Sequence, residues 1–116
     1  MKGKRILIIG ASGQIGTELV ISLRESYGND RVVASDIRPP GDPILQEGPY
    51  EILNVLNDRQ LYEVIQKYNI GMIYHLAAML SAKGEQKPEM AWDLNMNGLF
   101  HVLDLAKEGQ IDRVFW

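Results

Sequence analysis

A glycine-rich string near the amino terminus has residue types and spacing suited to binding an anionic ligand. The string GASGQIG begins at Gly10 and lies between an aliphatic run and an amphipathic stretch. In a turn from a strand into a helix, Gly10 permits the tight turn and Gly13 lets the backbone approach a pyrophosphate. Gly16 lets the helix pack closely on the strand, and the N–H groups near Gln14 and Ile15 face the anion. The string therefore predicts a dinucleotide-binding turn.

Asp36 lies twenty residues beyond Gly16, at the end of the second predicted strand. An acid at this point accepts hydrogen bonds from the hydroxyls of the adenosine ribose. Its charge also repels a 2′-phosphate, so we expect NAD to be preferred over NADP. Arg38 leaves two alternatives open, because its guanidinium could accommodate that phosphate or stack on adenine. Asp36 alone could equally be an ordinary loop acid, but together with the glycines it indicates a cofactor site.

The elements that must position these residues alternate strictly between strand and helix. Apolar runs predict strands at residues 5–9, 31–35, 50–53, 72–76 and 113–116. Helical spacing predicts helices at residues 14–25, after a cap at Asn57 or Asp58, and from Pro88 to a stop at Gly109. Prolines and glycines mark residues 39–49 as a long loop. This order predicts an α/β fold, a Rossmann-type doubly wound parallel sheet with strand order 3-2-1-4-5.

Composition excludes several other classes of protein. The chain has 116 residues, of which 46% are hydrophobic, and this suits one domain with an ordinary core. Fifteen acidic residues against twelve basic ones give a net charge of −3, which argues against nucleic acid and anionic membranes as partners. The lack of cysteine excludes a disulfide scaffold, a thiolate zinc site and a cysteine nucleophile, and it fits a reducing cytoplasm. No apolar segment approaches the length that a membrane helix needs.

Three further strings sharpen this interpretation: SDIR at residues 35–38, HLAAMLSA at residues 75–82 and DLNMNGLF at residues 93–100. Together with the glycine spacing, they resemble the extended short-chain dehydrogenase/reductase superfamily of the NAD-dependent epimerase/dehydratase type. Within it, they are most similar to the epimerase-like L-threonine 3-dehydrogenases. The resemblance covers essentially the whole chain. It implies an oxidoreductase that transfers hydride from the 3-hydroxyl of L-threonine to NAD and yields 2-amino-3-ketobutyrate.

The resemblance also places individual residues. Those implied at the cofactor are Gly10, Gly13, Gln14, Ile15, Gly16, Asp36, Ile37, Arg38, Asn54, Val55, Leu76, Ala77 and Ala78. Asn54 stands where the family usually has an acid beside adenine, and its amide oxygen can still accept from the adenine amine. Ser81 would bind the carboxylate of the substrate. Without the resemblance, Ser81 is an ordinary loop serine. The helix from Pro88 to Lys107 would help form a homodimer, and no metal is implied.

Several residues have a structural interpretation beside a functional one. His75 could act as a general base by its chemistry, but its apolar strand and the lack of an acidic partner favour a structural role. His101 on the long helix is expected at the surface or in a helix contact. Asn95 could bridge backbone groups, relay solvent or cap a neighbour. The residues expected only to pack are Met90, Trp92 and Met96.

The catalytic pair of the superfamily is missing from these 116 residues. Its chemistry uses a Ser or Thr after the fifth strand and a Tyr-x-x-x-Lys motif, in which the lysine lowers the pKa of the tyrosine. None of the five tyrosines is followed by lysine four residues later. We therefore predict no catalytic residue here and expect residues 1–116 to be an incomplete NAD-binding domain, truncated after the fifth strand. The alternatives are a nucleotide-sugar epimerase or dehydratase of the same superfamily and a non-catalytic NAD-sensing module.

Overall fold

The computed structural model of the chain describes residues 3–76 and 88–116, and for residues 88–96 it describes the backbone alone. The strands are β1 (Arg5–Ile9), β2 (Val32–Asp36), β3 (Tyr50–Ile52), β4 (Ile70–His75) and β5 (Arg113–Phe115). The helices are α1 (Gln14–Tyr27), α2 (Asp58–Tyr68) and α3 (Pro88–Lys107), with short 3₁₀ helices at Asn29–Arg31 and Pro43–Glu47. Each predicted strand and helix is therefore present. Within the described ranges, no helix is long and apolar enough to cross a membrane.

Neighbouring strands pair in parallel, in the order β3-β2-β1-β4-β5, which confirms the predicted Rossmann-type sheet. β1 is central, and its aliphatic side chains point alternately to the two faces. Leu7 and Ile9 pack with α2 and α3 on one face, whereas Ile6 and Ile8 pack with α1 on the other. The carboxyl ends of β1, β2 and β4 consequently meet at one edge, where doubly wound sheets bind ligands.

The element boundaries differ from the predicted ones for local reasons. Asn69 follows α2 in a left-handed conformation (φ 54°) and turns the chain directly into β4, which therefore begins at Ile70 and not at residue 72. β2 begins one residue later than predicted because Arg31 belongs to a 3₁₀ helix. Of the two expected caps of α2, Asn57 is the one used, since its Oδ1 accepts a hydrogen bond from the Gln60 N–H group at 3.1 Å.

The segment predicted as a plain loop, residues 39–49, contains a 3₁₀ helix with a buried leucine. The guanidinium of Arg24, a buried residue of α1, holds this segment in place. It donates hydrogen bonds of 2.8 to 3.5 Å to the carbonyl oxygens of Val32, Ile44, Leu45 and Pro49. Arg24 therefore joins α1, β2 and the segment that leads into β3.

His75 ends β4 and lies in the core, with 7% of its surface exposed. Among the described residues, neither of its ring nitrogens has a hydrogen-bond partner. A Cβ atom placed at Gly98 of α3 would lie 3.3 Å from the His75 Cε1 atom and 2.7 Å from the Val55 Cγ1 atom, so the glycine allows α3 to pack here. Burial lowers the pKa of His75, which keeps the ring neutral at pH 7. These observations favour the structural role of His75 over that of a general base.

Replacing Arg24 with methionine is expected to lower the free energy of unfolding by about 2 to 4 kcal/mol. The variant keeps an apolar stem but removes the buried donor from the carbonyl oxygens of Leu45 and Pro49. Arg59→Met is the matched control, because the Arg59 side chain is 87% exposed and pairs with Glu63 one helical turn away. It should cost less than about 0.5 kcal/mol. Urea denaturation followed by circular dichroism measures both, and equal losses would contradict the role given to Arg24.

The fold is expected to lose stability as the pH drops below about 6.5, the ordinary pKa of histidine. The pKa of His75 is lowered in the folded state, so the unfolded chain takes up a proton first and is stabilised relative to the folded chain. His75→Leu removes this contribution while keeping a similar volume. Its free energy of unfolding should therefore fall less steeply with decreasing pH than that of the parent chain. Urea denaturation at several pH values measures the two slopes, and identical slopes would contradict the prediction.

Candidate dinucleotide-binding site

The turn after β1 is fixed by hydrogen bonds to the neighbouring strand. Gly10 has a φ of +92°, in the left-handed region that glycine adopts without strain. The N–H groups of Gly10 and Ala11 both donate to the carbonyl oxygen of Ser35 in β2, at 2.9 and 2.8 Å. The Ser35 hydroxyl donates in turn to the Ile8 carbonyl oxygen at 2.8 Å. The tight turn expected at Gly10 is present, and it is bound to the end of β2.

Gly16 lies where α1 packs against this turn. A Cβ atom at this position would lie 2.3 Å from the Gly10 carbonyl oxygen and 2.8 Å from the Ala11 Cα atom. Both neighbours belong to the backbone and cannot move aside, so a larger residue would force α1 away from the turn. The Thr17 hydroxyl adds a hydrogen bond of 2.8 Å to the Ala11 carbonyl oxygen. The close packing of helix on strand, expected from the glycine spacing, is therefore observed.

Gly13 differs from the other two glycines, because the protein's own packing does not require a glycine there. Its backbone is extended (φ −73°, ψ 169°), and among the described residues a Cβ atom would meet only the Gly10 carbonyl oxygen, at 3.7 Å. No side chain of the described residues caps the start of α1, and the first turn contains no acidic residue. Gln14 and Ile15 are both exposed. The positive end of α1 can therefore face an anion.

Asp36 is buried at the end of β2, and main-chain groups hold both of its carboxylate oxygens. Oδ2 accepts a hydrogen bond from the Ser12 N–H group at 3.0 Å, and Oδ1 accepts one from the Arg38 N–H group at 3.2 Å. The Arg38 Nε atom lies 3.7 Å from Oδ1, and the Arg38 side chain is 66% exposed. Each carboxylate oxygen can accept one further hydrogen bond, as from a ribose hydroxyl. Ile37, the next residue, is 60% exposed and offers an apolar surface to a purine.

Two residues of this site, Ser12 and Tyr50, are not among the predicted cofactor residues. The Tyr50 hydroxyl donates to the Arg38 carbonyl oxygen at 2.6 Å and lies 2.9 Å from the Ser12 Oγ atom. Ser12 lies inside the glycine string, and its position there is a signal that could have identified it. Tyr50 begins β3, far along the chain, and no local pattern marks it.

The two residues expected beside adenine take different positions. Asn54 Oδ1 accepts a hydrogen bond from the Leu56 N–H group at 3.0 Å and retains a second lone pair for a ligand. The Val55 side chain is buried against Gly98, and its carbonyl oxygen accepts a hydrogen bond from His101 Nδ1 at 2.9 Å. The Val55 side chain is therefore not available to a cofactor. His101 makes the helix contact that was one of its two expected positions.

Leu76 follows β4, and its N–H group donates to the Ile9 carbonyl oxygen at 2.8 Å. This bond places Leu76 beside the beginning of the glycine turn, at the edge where a cofactor would bind. The predicted site residues Ala77, Ala78 and Ser81 lie outside the described residues. The same holds for the side chains of Met90, Trp92, Asn95 and Met96. Their roles stay predictions.

The described part of the site suits one half of a dinucleotide. The start of α1, which no described side chain caps, is suited to a phosphate, and the buried Asp36 carboxylate is suited to a ribose diol. The Ser12 N–H group bonds to that carboxylate, so the two features are neighbours. Among the described residues, no group of three or more His, Cys, Asp or Glu side chains could hold a metal ion. The residues present therefore fit the adenosine and pyrophosphate portion of a nicotinamide cofactor.

Comparison with known sequences identifies the relatives of this chain. The profile of the NAD dependent epimerase/dehydratase family matches residues 6–116. A protein of Staphylococcus epidermidis described as an uncharacterized epimerase/dehydratase is 49% identical over 110 residues, which are 93% of this chain and 34% of that protein. A protein of Staphylococcus aureus with the same description is 49% identical over 105 residues, 90% of this chain and 33% of that protein.

Solved structures agree with this assignment. The holo form of the GalE-like L-threonine dehydrogenase from Cupriavidus necator has a TM-score of 0.87 and 45% identity, over 97% of this chain and 36% of that one. L-threonine dehydrogenase from Clostridium difficile has a TM-score of 0.87 and 46% identity, with the same coverage. UDP-glucose-4-epimerase from Stenotrophomonas maltophila shares only the fold, with a TM-score of 0.80 and 18% identity over 96% of this chain and 35% of that one.

The chain spans about a third of the length of these relatives. The family profile nevertheless covers nearly all of its residues, and the parallel sheet and glycine turn have the arrangement expected for a nicotinamide dinucleotide. The chain therefore belongs to the NAD dependent epimerase/dehydratase family.

Proposed function

We propose that this chain is the NAD-binding part of an oxidoreductase that oxidises the 3-hydroxyl of L-threonine to 2-amino-3-ketobutyrate. The observation that carries the proposal is the identity of 45 to 46% with two L-threonine dehydrogenases over 97% of the chain. The UDP-glucose epimerase with the same fold reaches 18% identity. The sequence identity with the dehydrogenases is therefore higher than a shared fold alone requires, and this favours the dehydrogenase activity.

The chain's own residues would bind the two phosphates and the adenosine of the cofactor. The N–H groups at the start of α1 would face the pyrophosphate, and the open position at Gly13 lets the ligand approach the backbone. Asp36 would accept hydrogen bonds from the ribose diol and repel a 2′-phosphate. Asn54 would accept from the adenine amine through its remaining lone pair. NAD, when bound, supplies the acceptor for the hydride that leaves the substrate.

Substrate recognition and the chemical step belong to the proposal for the whole enzyme. Ser81 would bind the carboxylate of L-threonine, and α3 would contribute to a homodimer. The 116 residues contain no Tyr-x-x-x-Lys motif. We therefore propose that the chain by itself binds NAD without oxidising threonine.

A second candidate is an epimerase or dehydratase, because the two staphylococcal relatives at 49% identity carry the description epimerase/dehydratase. A nucleotide sugar is the substrate class proposed for this alternative. The two activities differ in their redox balance. A dehydrogenase accumulates NADH, whereas an epimerase returns the hydride to its substrate and leaves the NAD concentration unchanged. Assaying the full-length staphylococcal relative with L-threonine and with UDP-glucose, by NADH absorbance and by sugar analysis, separates the two.

Calorimetric titration of the folded chain with NAD is expected to give saturable heat. NADP should bind at least about tenfold more weakly, a difference of about 1.4 kcal/mol, because its 2′-phosphate meets the Asp36 carboxylate. Asp36→Asn removes the charge and keeps the shape, so it should narrow the gap between the two cofactors. Folded protein that gives no heat with NAD, or that binds both cofactors equally, would contradict the proposal.

Alanine at Gly13 and at Gly16 should separate cofactor binding from folding. At Gly13 a Cβ atom meets little protein, so Gly13→Ala should change the free energy of unfolding by less than about 1 kcal/mol and weaken NAD binding at least about tenfold. At Gly16 a Cβ atom meets backbone at 2.3 Å, so Gly16→Ala should destabilise the fold by about 2 to 3 kcal/mol. Urea denaturation and NAD titration measure both quantities. Unchanged NAD affinity in Gly13→Ala would rule out close contact between ligand and turn.

A further inference from the structure

We propose that Tyr50 is a positioning residue that sets the preference for NAD over NADP. It joins the two residues whose N–H groups hold the Asp36 carboxylate, and it thereby fixes that carboxylate for a ribose diol. The inference rests on the proposed function as an NAD-binding chain. It concerns a residue outside the glycine turn and outside the loop that follows β2.

The Tyr50 hydroxyl lies within hydrogen-bonding distance of both Arg38 and Ser12. The bond of 2.6 Å to the Arg38 carbonyl oxygen uses the single proton of the phenol, because a carbonyl oxygen only accepts. The Ser12 hydroxyl has one proton for two acceptors, the Tyr50 oxygen at 2.9 Å and the Pro39 carbonyl oxygen at 3.3 Å, and the shorter contact favours Tyr50. The Ser12 Oγ atom accepts in turn from the Gly41 N–H group at 3.3 Å. With the Ser12 proton on this shorter contact, a continuous chain of hydrogen bonds runs from Gly41 through Ser12 and Tyr50 to Arg38.

This chain closes a hydrogen-bond cycle with Asp36. The Asp36 Oδ2 and Oδ1 atoms accept from the N–H groups of Ser12 and Arg38, at 3.0 and 3.2 Å. Tyr50 connects the same two residues through the Ser12 hydroxyl and the Arg38 carbonyl oxygen. The separation of the two N–H groups, and with it the orientation of the carboxylate, consequently depends on Tyr50.

The support beneath Tyr50 is rigid. Its ring packs against the core cluster on the α1 side of the sheet, and its backbone pairs with Ala34 of β2. The preceding carbonyl oxygen, that of Pro49, accepts hydrogen bonds from the Ala34 N–H group at 3.0 Å and from Arg24 at 2.8 Å. Burial also raises the pKa of the Tyr50 phenol, so the hydroxyl keeps the proton that it donates. Tyr50 therefore holds an exposed loop against a fixed part of the core.

The position of the loop after β2 determines whether the Asp36 carboxylate or the Arg38 guanidinium lies beside the ribose. The Arg38 side chain is largely exposed, and its Nε atom lies 3.7 Å from Asp36 Oδ1. To bind a 2′-phosphate, this guanidinium would have to take the place of the Asp36 carboxylate beside the ribose. A loop released from Tyr50 could bring this guanidinium to a 2′-phosphate while Asp36 loses an N–H partner. Loss of the Tyr50 hydroxyl should therefore weaken NAD binding more than NADP binding.

Tyr50→Phe removes the hydroxyl and keeps the ring in the core. We expect the affinity for NAD to fall about five- to tenfold and the affinity for NADP to change less than about twofold. Tyr27→Phe, at the exposed end of α1, is the matched control and should leave both affinities unchanged. Calorimetric titration of each variant with each cofactor measures the ratio of the two affinities. A parallel loss for both cofactors, or an unchanged ratio, would overturn the assignment of Tyr50.

A double-mutant cycle tests whether Tyr50 acts through Asp36. In an Asp36→Asn background, Tyr50→Phe should change the NAD affinity less than about twofold, because the carboxylate that it orients is gone. Independent, multiplicative losses in the double variant would show that Tyr50 contributes by another route.

Amide hydrogen exchange without cofactor separates this inference from the proposed function. In Tyr50→Phe the amides of Ser12, Arg38 and Gly41 should exchange at least about threefold faster, while amides of β1 keep their rates. If the parent chain binds no NAD, the proposed function fails, and exchange still reports whether the hydrogen-bond cycle exists. Unchanged exchange at these three amides would overturn the inference even where NAD binds as proposed.

Discussion

The contact between Gly16 of α1 and the Gly10 carbonyl oxygen is the constraint on which the site depends. A Cβ atom at Gly16 would lie 2.3 Å from that oxygen, so the start of the helix rests directly on the turn after β1. This contact places the first-turn N–H groups at the edge of the sheet. The same turn is held against β2 by the Gly10 and Ala11 N–H groups, and the Ser12 N–H group reaches Asp36 at 3.0 Å. The turn therefore positions both the start of α1 and the Asp36 carboxylate.

Two side chains, those of Arg24 and Tyr50, fix the position of the segments that follow β2. Arg24 donates to carbonyl oxygens on both sides of the 3₁₀ helix Pro43–Glu47 and so fixes the path into β3. Tyr50, the first residue of β3, then reaches back to the loop after β2. The Pro49 carbonyl oxygen accepts from Arg24, and Pro49 precedes Tyr50, so the two side chains act in sequence. A buried cation in the helix thus supports the carboxylate at the strand end without touching it.

The parts predictable from sequence are those encoded by neighbouring residues. Apolar runs predicted the strands and hence the parallel order, and glycine spacing predicted the close packing at Gly16. The supporting contacts join distant positions: Arg24 with Pro49, Ser12 with Tyr50, and Gly98 with Val55. Their side chains meet only after the sheet has formed, so no periodicity marks them. Residues 39–49 show this clearly, because prolines and glycines indicate a loop but not the buried leucine that the loop carries.

The same distinction explains why the site is easier to recognise than the residues that maintain it. Much of the candidate site is main chain: the start of α1 and the turn at Gly13. A ligand can approach main-chain groups closely where no side chain intervenes. Such positions are glycines, and their fixed spacing can be recognised in the sequence. Asp36 contributes a buried carboxylate to the candidate site, and the orientation of that carboxylate depends on how its two oxygens are held. Recognition of the family therefore follows from local glycines, whereas the position of the Asp36 carboxylate depends on hydrogen bonds between residues far apart in the sequence.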